Sequence, residues 1–316
     1  MNPMPDSTPS PYSPTRRGFV AASAASAAAL LLPPGAGAQT DARILRAIPS
    51  SGERIPAVGM GTWITFNVGR SEALRRARLE VLRTFFARGG GMVDSSPMYG
   101  SSQAVVGWCL ERLDNAAGLM SADKVWTPAG GDALSQLADA RQRWGVGRID
   151  VMQVHNLVDW EDHLAVLADE KAGGRIRYIG ITTSHGSRHA EMERIMRARD
   201  VDFVQFTYNV VDRWAEDRLL PLAAERGLAV IVNRPFKQNR LFRMFGGERL
   251  PDWAAEIDCR NWAQFFLKFV ISHPAVTCAI PATSRVDHME ENMGTLYGRL
   301  PDADLRRRMV RYIESL

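Results

Sequence analysis

The chain has 316 residues, of which 46% are hydrophobic and 23% are charged. This balance is typical of a globular protein with a large core and argues against wholesale disorder. The net charge of +4 is small for this length and the arginines are scattered, so the sequence does not favour nucleic-acid binding. The three cysteines, Cys109, Cys259 and Cys278, lie far apart without metal-ligand spacing, and no metal site is predicted.

The first predicted element, residues 1–38, is a targeting segment rather than part of the folded domain. Arg16-Arg17 precede an alanine-rich, weakly apolar run that ends at Leu32, and this run is too short to span a bilayer. Ala36-Gly37-Ala38 fits a small-residue cleavage site. The segment resembles a twin-arginine signal peptide, with a disordered alanine-rich tail as the alternative. The resemblance implies recognition by the twin-arginine export machinery, a periplasmic location and no stable membrane insertion.

From about residue 44 onward, strand-like and helix-like segments alternate. A turn signal inside residues 44–56 predicts a short hairpin. Apolar runs predict eight strands, at Ala57–Trp63, Gly91–Ser95, Leu119–Trp126, Asp150–Val154, Tyr178–Thr182, Phe203–Tyr208, Ala229–Asn233 and Thr277–Pro281. Helical periodicity predicts helices near 71–88, 102–113, 132–144, 161–172, 187–198, 216–226, 261–272 and 286–297, and a last one at 301–315. Residues 236–260 lack clear periodicity and form a candidate lid.

This alternation predicts an α/β fold. Strands separated by helices pair in parallel through right-handed crossovers. Eight such units close into a (β/α)₈ TIM barrel more naturally than they form an open sheet, so residues 39–316 are predicted to be one barrel domain. The alternative of a dinucleotide-binding open sheet is weak. Gly59-Met60-Gly61 is followed by Thr62-Trp63-Ile64, without the third glycine that such a motif requires.

Four titratable residues fall near the carboxyl ends of consecutive predicted strands, where a barrel of this kind builds its site. Asp94 ends the second strand, Tyr99 follows in the next loop, Lys124 lies near the end of the third strand and His155 ends the fourth. Taken singly, each has an ordinary structural explanation, such as a turn, a helix cap or core packing. Their occurrence together at one end of the barrel predicts a functional site.

The chemistry of these residue types suits carbonyl reduction, which adds a hydride to carbon and a proton to oxygen. A phenol keeps its proton at neutral pH but is a poor acid without assistance. A nearby ammonium stabilises the phenolate, and a carboxylate paired with the lysine holds that ammonium in place. An imidazole N–H can orient the carbonyl oxygen and stabilise its developing charge.

Three motifs resemble those of the aldo-keto reductase family. Asp94–Ser102 is similar to the signature around the family's catalytic tyrosine, and Arg148–Asn156 is similar to its fourth strand and histidine. Ile280–Arg285 resembles the segment that binds the adenosine phosphate. The likeness extends from about Ile44 to the end of the chain. It implies NADPH-dependent reduction of an aldehyde or ketone, with Tyr99 as general acid in a tetrad completed by Asp94, Lys124 and His155.

The resemblance also implies a cofactor site, whose predicted residues are Gly61, Thr62, Thr182, Thr183, Gln205, Ser284, Arg285 and Asn292. Ser284 and Arg285 are expected to contact a phosphate, which favours NADPH over NADH, although Ser284 also suits a helix N-cap. Two positions depart from the family pattern. Thr183 stands where an asparagine is usual, and Asn233 stands where an aromatic residue often stacks on the nicotinamide ring.

Large apolar residues near the predicted strand ends are candidate substrate contacts, namely Trp63, Trp126, Trp160 and Phe236. Ordinary core packing is the alternative for each, and together they suggest an apolar carbonyl substrate in a fairly open site. Two other functions stay in view. One is a non-turnover subunit that binds NADPH and senses redox state on the same fold. The other is a sugar-phosphate isomerase, which the sequence contexts of Tyr99 and His155 do not fit.

Overall fold

The computed structural model describes residues 42–128 and 132–316; the predicted signal at 1–38 lies outside the described residues. A short antiparallel hairpin comes first, with β1 at Leu45–Ala47 and β2 at Arg54–Pro56. Eight parallel strands follow: β3 Met60–Gly61, β4 Met92–Asp94, β5 Met120–Val125, β6 Ile149–Val154, β7 Ile176–Thr182, β8 Phe203–Thr207, β9 Ala229–Asn233 and β10 Cys278–Ala279. Each lies within or close to a predicted run, so the predicted strand order is confirmed.

The sheet closes on itself through its first and last strands. Val58 and Ala279 form a parallel bridge, and the Gly59 amide donates to the Ala279 carbonyl over 2.8 Å. Gly59 is needed at this join, because a Cβ atom there would lie 2.7 Å from the carbonyl oxygen of Met92. The (β/α)₈ barrel predicted from the sequence is therefore confirmed.

Helices cover the outside of the barrel. They are α1 Glu72–Ala87, α2 Ser102–Leu110, α3 Ala133–Trp144, α4 Trp160–Ala172, α5 His189–Ala198, α6 Trp214–Asp217, α7 Leu219–Arg226, α8 Arg240–Phe245, α9 Trp262–Ile271, α10 Val286–Gly294 and α11 Ala303–Ser315. The main core lies between these helices and the sheet. Within the described ranges, no helix combines the length and apolar character needed to cross a membrane.

The barrel interior holds a second apolar core at its amino-terminal end. Met92 and Met120, the first residues of β4 and β5, pack there with Ile48 and Ile55 of the hairpin. The Tyr178 hydroxyl donates to Ser51 Oγ over 2.8 Å and ties the hairpin to β7. The hairpin therefore covers this end of the barrel and leaves the carboxyl ends of the strands open.

The candidate lid at 236–260 is largely packed structure. It contains α8 and a 3₁₀ helix at Asp252–Ile257. Phe245 lies over Trp262 and Phe266 of α9, with ring centroids 6.3 Å apart in both pairs. The buried apolar side chains Leu241 and Ile257 anchor the segment as well. The lid prediction is wrong for most of the segment, because its apolar residues pack on the barrel's outer layer.

Candidate active site

A cleft with an open volume of about 1160 Å³ lies at the carboxyl ends of the strands. Asp94, Tyr99 and His155 line it, together with residues from the loops after β3, β9 and β10. Parallel strands bring all of these loops to the same rim, which explains why residues far apart in the sequence meet here.

Lys124 and Asp94 form a buried ion pair at the base of the cleft. Lys124 Nζ lies 2.6 Å from Asp94 Oδ2 and donates to the Ser95 carbonyl over 2.7 Å. The two side chains are 0% and 2% exposed. Burial by itself would lower the pKa of Lys124, but Asp94, Tyr99 and Asp123 together outweigh it and the pKa is raised. The lysine is therefore held as an ammonium.

Tyr99 lies above this pair at the end of a short 3₁₀ helix, Pro97–Tyr99, which the Ser96 side chain caps by accepting from Met98 N. Lys124 Nζ lies 5.1 Å from the centroid of the Tyr99 ring. Burial raises the pKa of Tyr99, and the Lys124 ammonium opposes that rise. The phenol thus keeps its proton at neutral pH, while a positive charge lies close enough to stabilise the phenolate.

His155 packs edge-to-face against Tyr99, with the ring centroids 5.7 Å apart. Its Nδ1 lies 2.8 Å from the Ser96 hydroxyl, which already accepts from the Met98 amide and has its own proton to donate. This pairing favours the tautomer with the proton on Nε2. Burial and the Lys124 charge lower the pKa of His155 to about 2, so the imidazole is neutral.

The second oxygen of Asp94 is held by two glutamines, of which Gln153 was missed by the sequence analysis. Asp94 Oδ1 accepts from Gln205 Nε2 over 3.0 Å and from Gln153 Nε2 over 3.3 Å. Gly180 makes room for Gln153, since a Cβ atom there would lie 3.1 Å from Gln153 Cγ. The available signal was the alternation of β6, which puts Gln153 two residues before His155.

Comparison with known proteins identifies the fold's relatives. The model of the Aldo/keto reductase family matches residues 57–308. The chain belongs to this family. An aldo/keto reductase from Klebsiella pneumoniae, solved in complex with NADP and acetate, superposes with a TM-score of 0.69 at 23% identity, covering 83% of this chain and 93% of that one.

Two curated proteins match the chain in sequence. The chain is 23% identical to the NADH-specific methylglyoxal reductase of Escherichia coli, over 81% of this chain and 95% of the relative. It is 29% identical to an uncharacterized oxidoreductase of Schizosaccharomyces pombe. That match spans 53% of this chain and about half, 54%, of the relative.

Of the residues that were predicted to contact the nicotinamide end of the cofactor, some line the cleft and one does not. Gly61, Thr62, Thr182 and Gln205 line the cleft, and Thr62 Oγ1 donates to the Asp94 carbonyl over 2.9 Å. Thr183 does not share that position. Its hydroxyl lies 4.0 Å from Met192 Sδ, because the alternation of β7 turns residue 183 toward α5 instead of the cleft.

Asn156 is a cleft residue that was not proposed from the sequence. Its backbone has the left-handed φ of 52°, and its amide N–H donates to Thr182 Oγ1 over 3.3 Å. Its side-chain oxygen Oδ1 is buried and has no hydrogen-bond partner among the described residues, and Asn156 is one of the residues that line the cleft. A buried acceptor of this kind calls for a donor from a ligand.

The predicted phosphate contacts lie beyond the cleft. Ser284 and Arg285 are exposed just before α10, and Arg285, not Ser284, is the cap residue of that helix. Arg285 Nε donates to Asp287 Oδ1 over 3.0 Å, so its guanidinium is paired within its own helix turn. Asn292 is buried within α10. A phosphate at this position would compete with the Asp287 carboxylate for Arg285.

Asn233 uses its side chain within the barrel. Its Nδ2 donates to the Thr183 carbonyl over 2.8 Å, and its Oδ1 accepts from Thr207 Oγ1 over 2.9 Å. The amide therefore links the ends of three neighbouring strands. It has no flat apolar surface to place against a nicotinamide ring.

The four predicted substrate contacts are only partly brought together. Trp63 and Phe236 line the cleft, and Phe236 packs on Phe242 at 4.8 Å between ring centroids. Trp160 is placed elsewhere, which corrects the prediction: it begins α4 and lies under Arg199, 5.3 Å from the ring centroid. Trp126 is 41% exposed and lies outside the cleft wall that the described residues form.

Proposed function

We propose that the chain reduces an aldehyde or ketone with NADPH and that Tyr99 supplies the proton. The family is one of NAD(P)H-dependent carbonyl reductases, and the finer assignment rests on a single observation. A protonated phenol, a paired ammonium and a neutral imidazole meet at the rim of one cleft. This set provides a proton, stabilises the anion that its loss creates and orients the acceptor oxygen.

The protein's part in the reaction follows from these contacts. His155, with its proton on Nε2, donates a hydrogen bond to the carbonyl oxygen and so places it beside the Tyr99 hydroxyl. A bound NADPH would supply the hydride from its reduced nicotinamide. As negative charge develops on the oxygen, Tyr99 gives up its proton, and the Lys124 ammonium stabilises the resulting phenolate. Asp94 keeps Lys124 in place throughout.

The residues at the cleft fit a nicotinamide carboxamide. The unpartnered Asn156 Oδ1 would accept from the carboxamide NH₂ group, and Thr182 lies beside it. Asn156 would thus supply the side-chain amide that the family's usual asparagine would provide at position 183. For the choice between NADPH and NADH, the support for NADPH is that the Klebsiella pneumoniae relative was solved with NADP. The Escherichia coli relative is named as NADH-specific, so both cofactors belong in the test.

The test is steady-state oxidation of NADPH and of NADH by the purified chain with a panel of aldehydes and ketones. Tyr99→Phe should lower turnover by a factor on the order of 10² or more while cofactor affinity is retained. Tyr312→Phe, which removes the hydroxyl of a tyrosine in α11 that does not line the cleft, is the matched control. Full activity in Tyr99→Phe would refute the proposed mechanism.

A second candidate function is a non-turnover subunit that binds NADPH and senses redox state. Asn233 favours it, because an amide that is hydrogen-bonded to Thr183 and Thr207 cannot stack on the nicotinamide and so cannot fix the ring orientation that hydride transfer needs. A multiple-turnover assay separates the two functions: tight NADPH binding without turnover on any carbonyl would support the sensing subunit.

We also propose that residues 1–38 direct export through the twin-arginine route. The support is the sequence pattern alone, with Arg16-Arg17 before a short apolar run and a small-residue cleavage site. Because this route carries folded proteins, the barrel could bind its nucleotide before export.

A further inference from the structure

Arg234 is a cation in the cleft that the proposed reaction does not use. It directly follows β9, is half-buried and lines the cleft. Among the described residues that line the cleft, Asp94 and His155 are the only other side chains that could carry a charge near neutral pH. Asp94 is paired with Lys124, and His155 is neutral because burial lowers its pKa to about 2. Arg234 therefore leaves the cleft with a net positive charge.

The guanidinium of Arg234 has no ion-pair or hydrogen-bond partner in the part of the chain that the structure describes. The backbone, in contrast, is firmly held. Its carbonyl accepts from Asn209 Nδ2 over 3.2 Å and from the Lys237 amide over 2.9 Å. Its φ of 49° is in the left-handed region, which costs a residue other than glycine on the order of 1 kcal/mol. A strained and fixed backbone thus presents an unpaired cation to the cleft.

Burial lowers the pKa of Arg234, and Tyr99 and Asp212 oppose that shift. Arg234 and Tyr99 line the same cleft, so the guanidinium shares it with the proposed proton donor. Partly desolvating an arginine that has no ion-pair partner is unfavourable, and an anionic ligand would compensate for it. The planar fork of a guanidinium matches carboxylate and phosphate oxygens in particular.

We propose that Arg234 binds an anionic oxygen group inside the cleft, either a carboxylate of the carbonyl substrate or a phosphate of the cofactor. This inference rests on the proposed function for the identity of the ligand but not for the existence of the anion site. The site is formed by a side chain at the rim of β9 and is separate from Arg285, whose guanidinium is already paired with Asp287.

The test compares Arg234→Met with Arg243→Met, which removes an exposed arginine of α8. Calorimetry of the ligand-free protein with inorganic pyrophosphate and with benzoate measures anion binding without turnover. Arg234→Met should weaken binding of at least one of these anions about 10-fold or more, Arg243→Met should not, and Arg234→Lys should recover part of the loss. Thermal unfolding of each variant shows whether it is folded.

Turnover then identifies the source of the anion. If Arg234→Met raises the KM for para-carboxybenzaldehyde more than the KM for benzaldehyde, and NADPH affinity is unchanged, Arg234 binds a substrate carboxylate. A loss of NADPH affinity that affects both aldehydes equally assigns it to a cofactor phosphate. If the folded Arg234→Met variant binds both anions and NADPH as the wild type does, and handles both aldehydes equally, the proposal is overturned. If the wild type turns over no carbonyl, the proposed function fails, while calorimetry still decides the anion site.

Discussion

Removing Lys124 tests whether the buried ion pair is as isolated from solvent as the contacts indicate. In Lys124→Met, the Asp94 carboxylate stays 2% exposed and loses the ammonium 2.6 Å away. An uncompensated buried charge of this kind typically destabilises a protein by about 3–5 kcal/mol. The two glutamine Nε2 groups on Oδ1 remain but carry no full charge. We expect the free energy of unfolding to fall by that amount.

The double variant Asp94→Asn/Lys124→Met should regain at least about 2 kcal/mol, because it removes both charges while the asparagine oxygen can still accept from Gln205 and Gln153. Urea unfolding, followed by circular dichroism at pH 7, measures all three proteins. The surface pair of Glu72 and Arg76, with side chains 68% and 69% exposed, is the contrast. Removing Arg76 should cost less than about 1 kcal/mol. A loss below about 1 kcal/mol in Lys124→Met, or simple additivity in the double variant, would refute the reasoning.

Three further predictions concern other parts of the chain. Burial lowers the pKa of His155 to about 2, so only the unfolded chain takes up this proton as the pH falls below about 6.5. The free energy of unfolding should therefore drop by up to about 1.4 kcal/mol per pH unit because of this group. Urea unfolding at several pH values should give a shallower dependence on pH for His155→Asn than for the wild type. The control His288→Asn, which changes an exposed histidine, should keep the wild-type dependence. Asn156→Leu should weaken NADPH binding about 10-fold by calorimetry, and unchanged affinity would contradict the carboxamide contact. Replacing Arg16-Arg17 with two lysines should keep the protein in the cytoplasmic fraction, and unaltered export would argue against the signal.

The order of the elements could be predicted because buried strands are continuous apolar runs, whereas helices on the surface repeat their apolar residues about every 3.6 positions. Strand β9, for example, is buried from Ala229 to Val232 and has the predicted bounds Ala229–Asn233. The shortest strands were predicted too long, as with Thr277–Pro281, of which only Cys278–Ala279 pairs as a strand. An apolar run records which residues are buried, but hydrogen bonding to the neighbouring strands determines where pairing ends.

The candidate site was predictable only where the chemistry of a residue coincided with a strand end. Asp94, Lys124 and His155 met that condition. Arg234 also follows a strand end, but a lone arginine after a strand is ordinarily a solvated surface residue. Arg234 stands out because its guanidinium has no partner among the described residues. That property depends on the positions of side chains from distant parts of the sequence, so the sequence alone does not reveal it. Trp160 shows the converse, since its position after a predicted strand suggested a pocket, but it packs under Arg194 of α5 and Arg199 instead.

Asp123 shows how the barrel's outer side bears on the site. It precedes Lys124 in β5, and strand alternation points its carboxylate away from the cleft. There it accepts from Trp144 Nε1 over 2.6 Å and from Gln103 Nε2 over 2.9 Å, and it also accepts from the Lys124 amide over 2.7 Å. Burial raises the pKa of Asp123 to about 6, so the carboxylate depends on these donors to stay ionised near neutral pH. Gln103 belongs to α2, the helix that follows Tyr99. The buried Asp123 carboxylate therefore links β5, which carries Lys124, to α2, which follows Tyr99. This link on the outer side of the barrel helps to fix the distance between the Lys124 ammonium and the Tyr99 phenol.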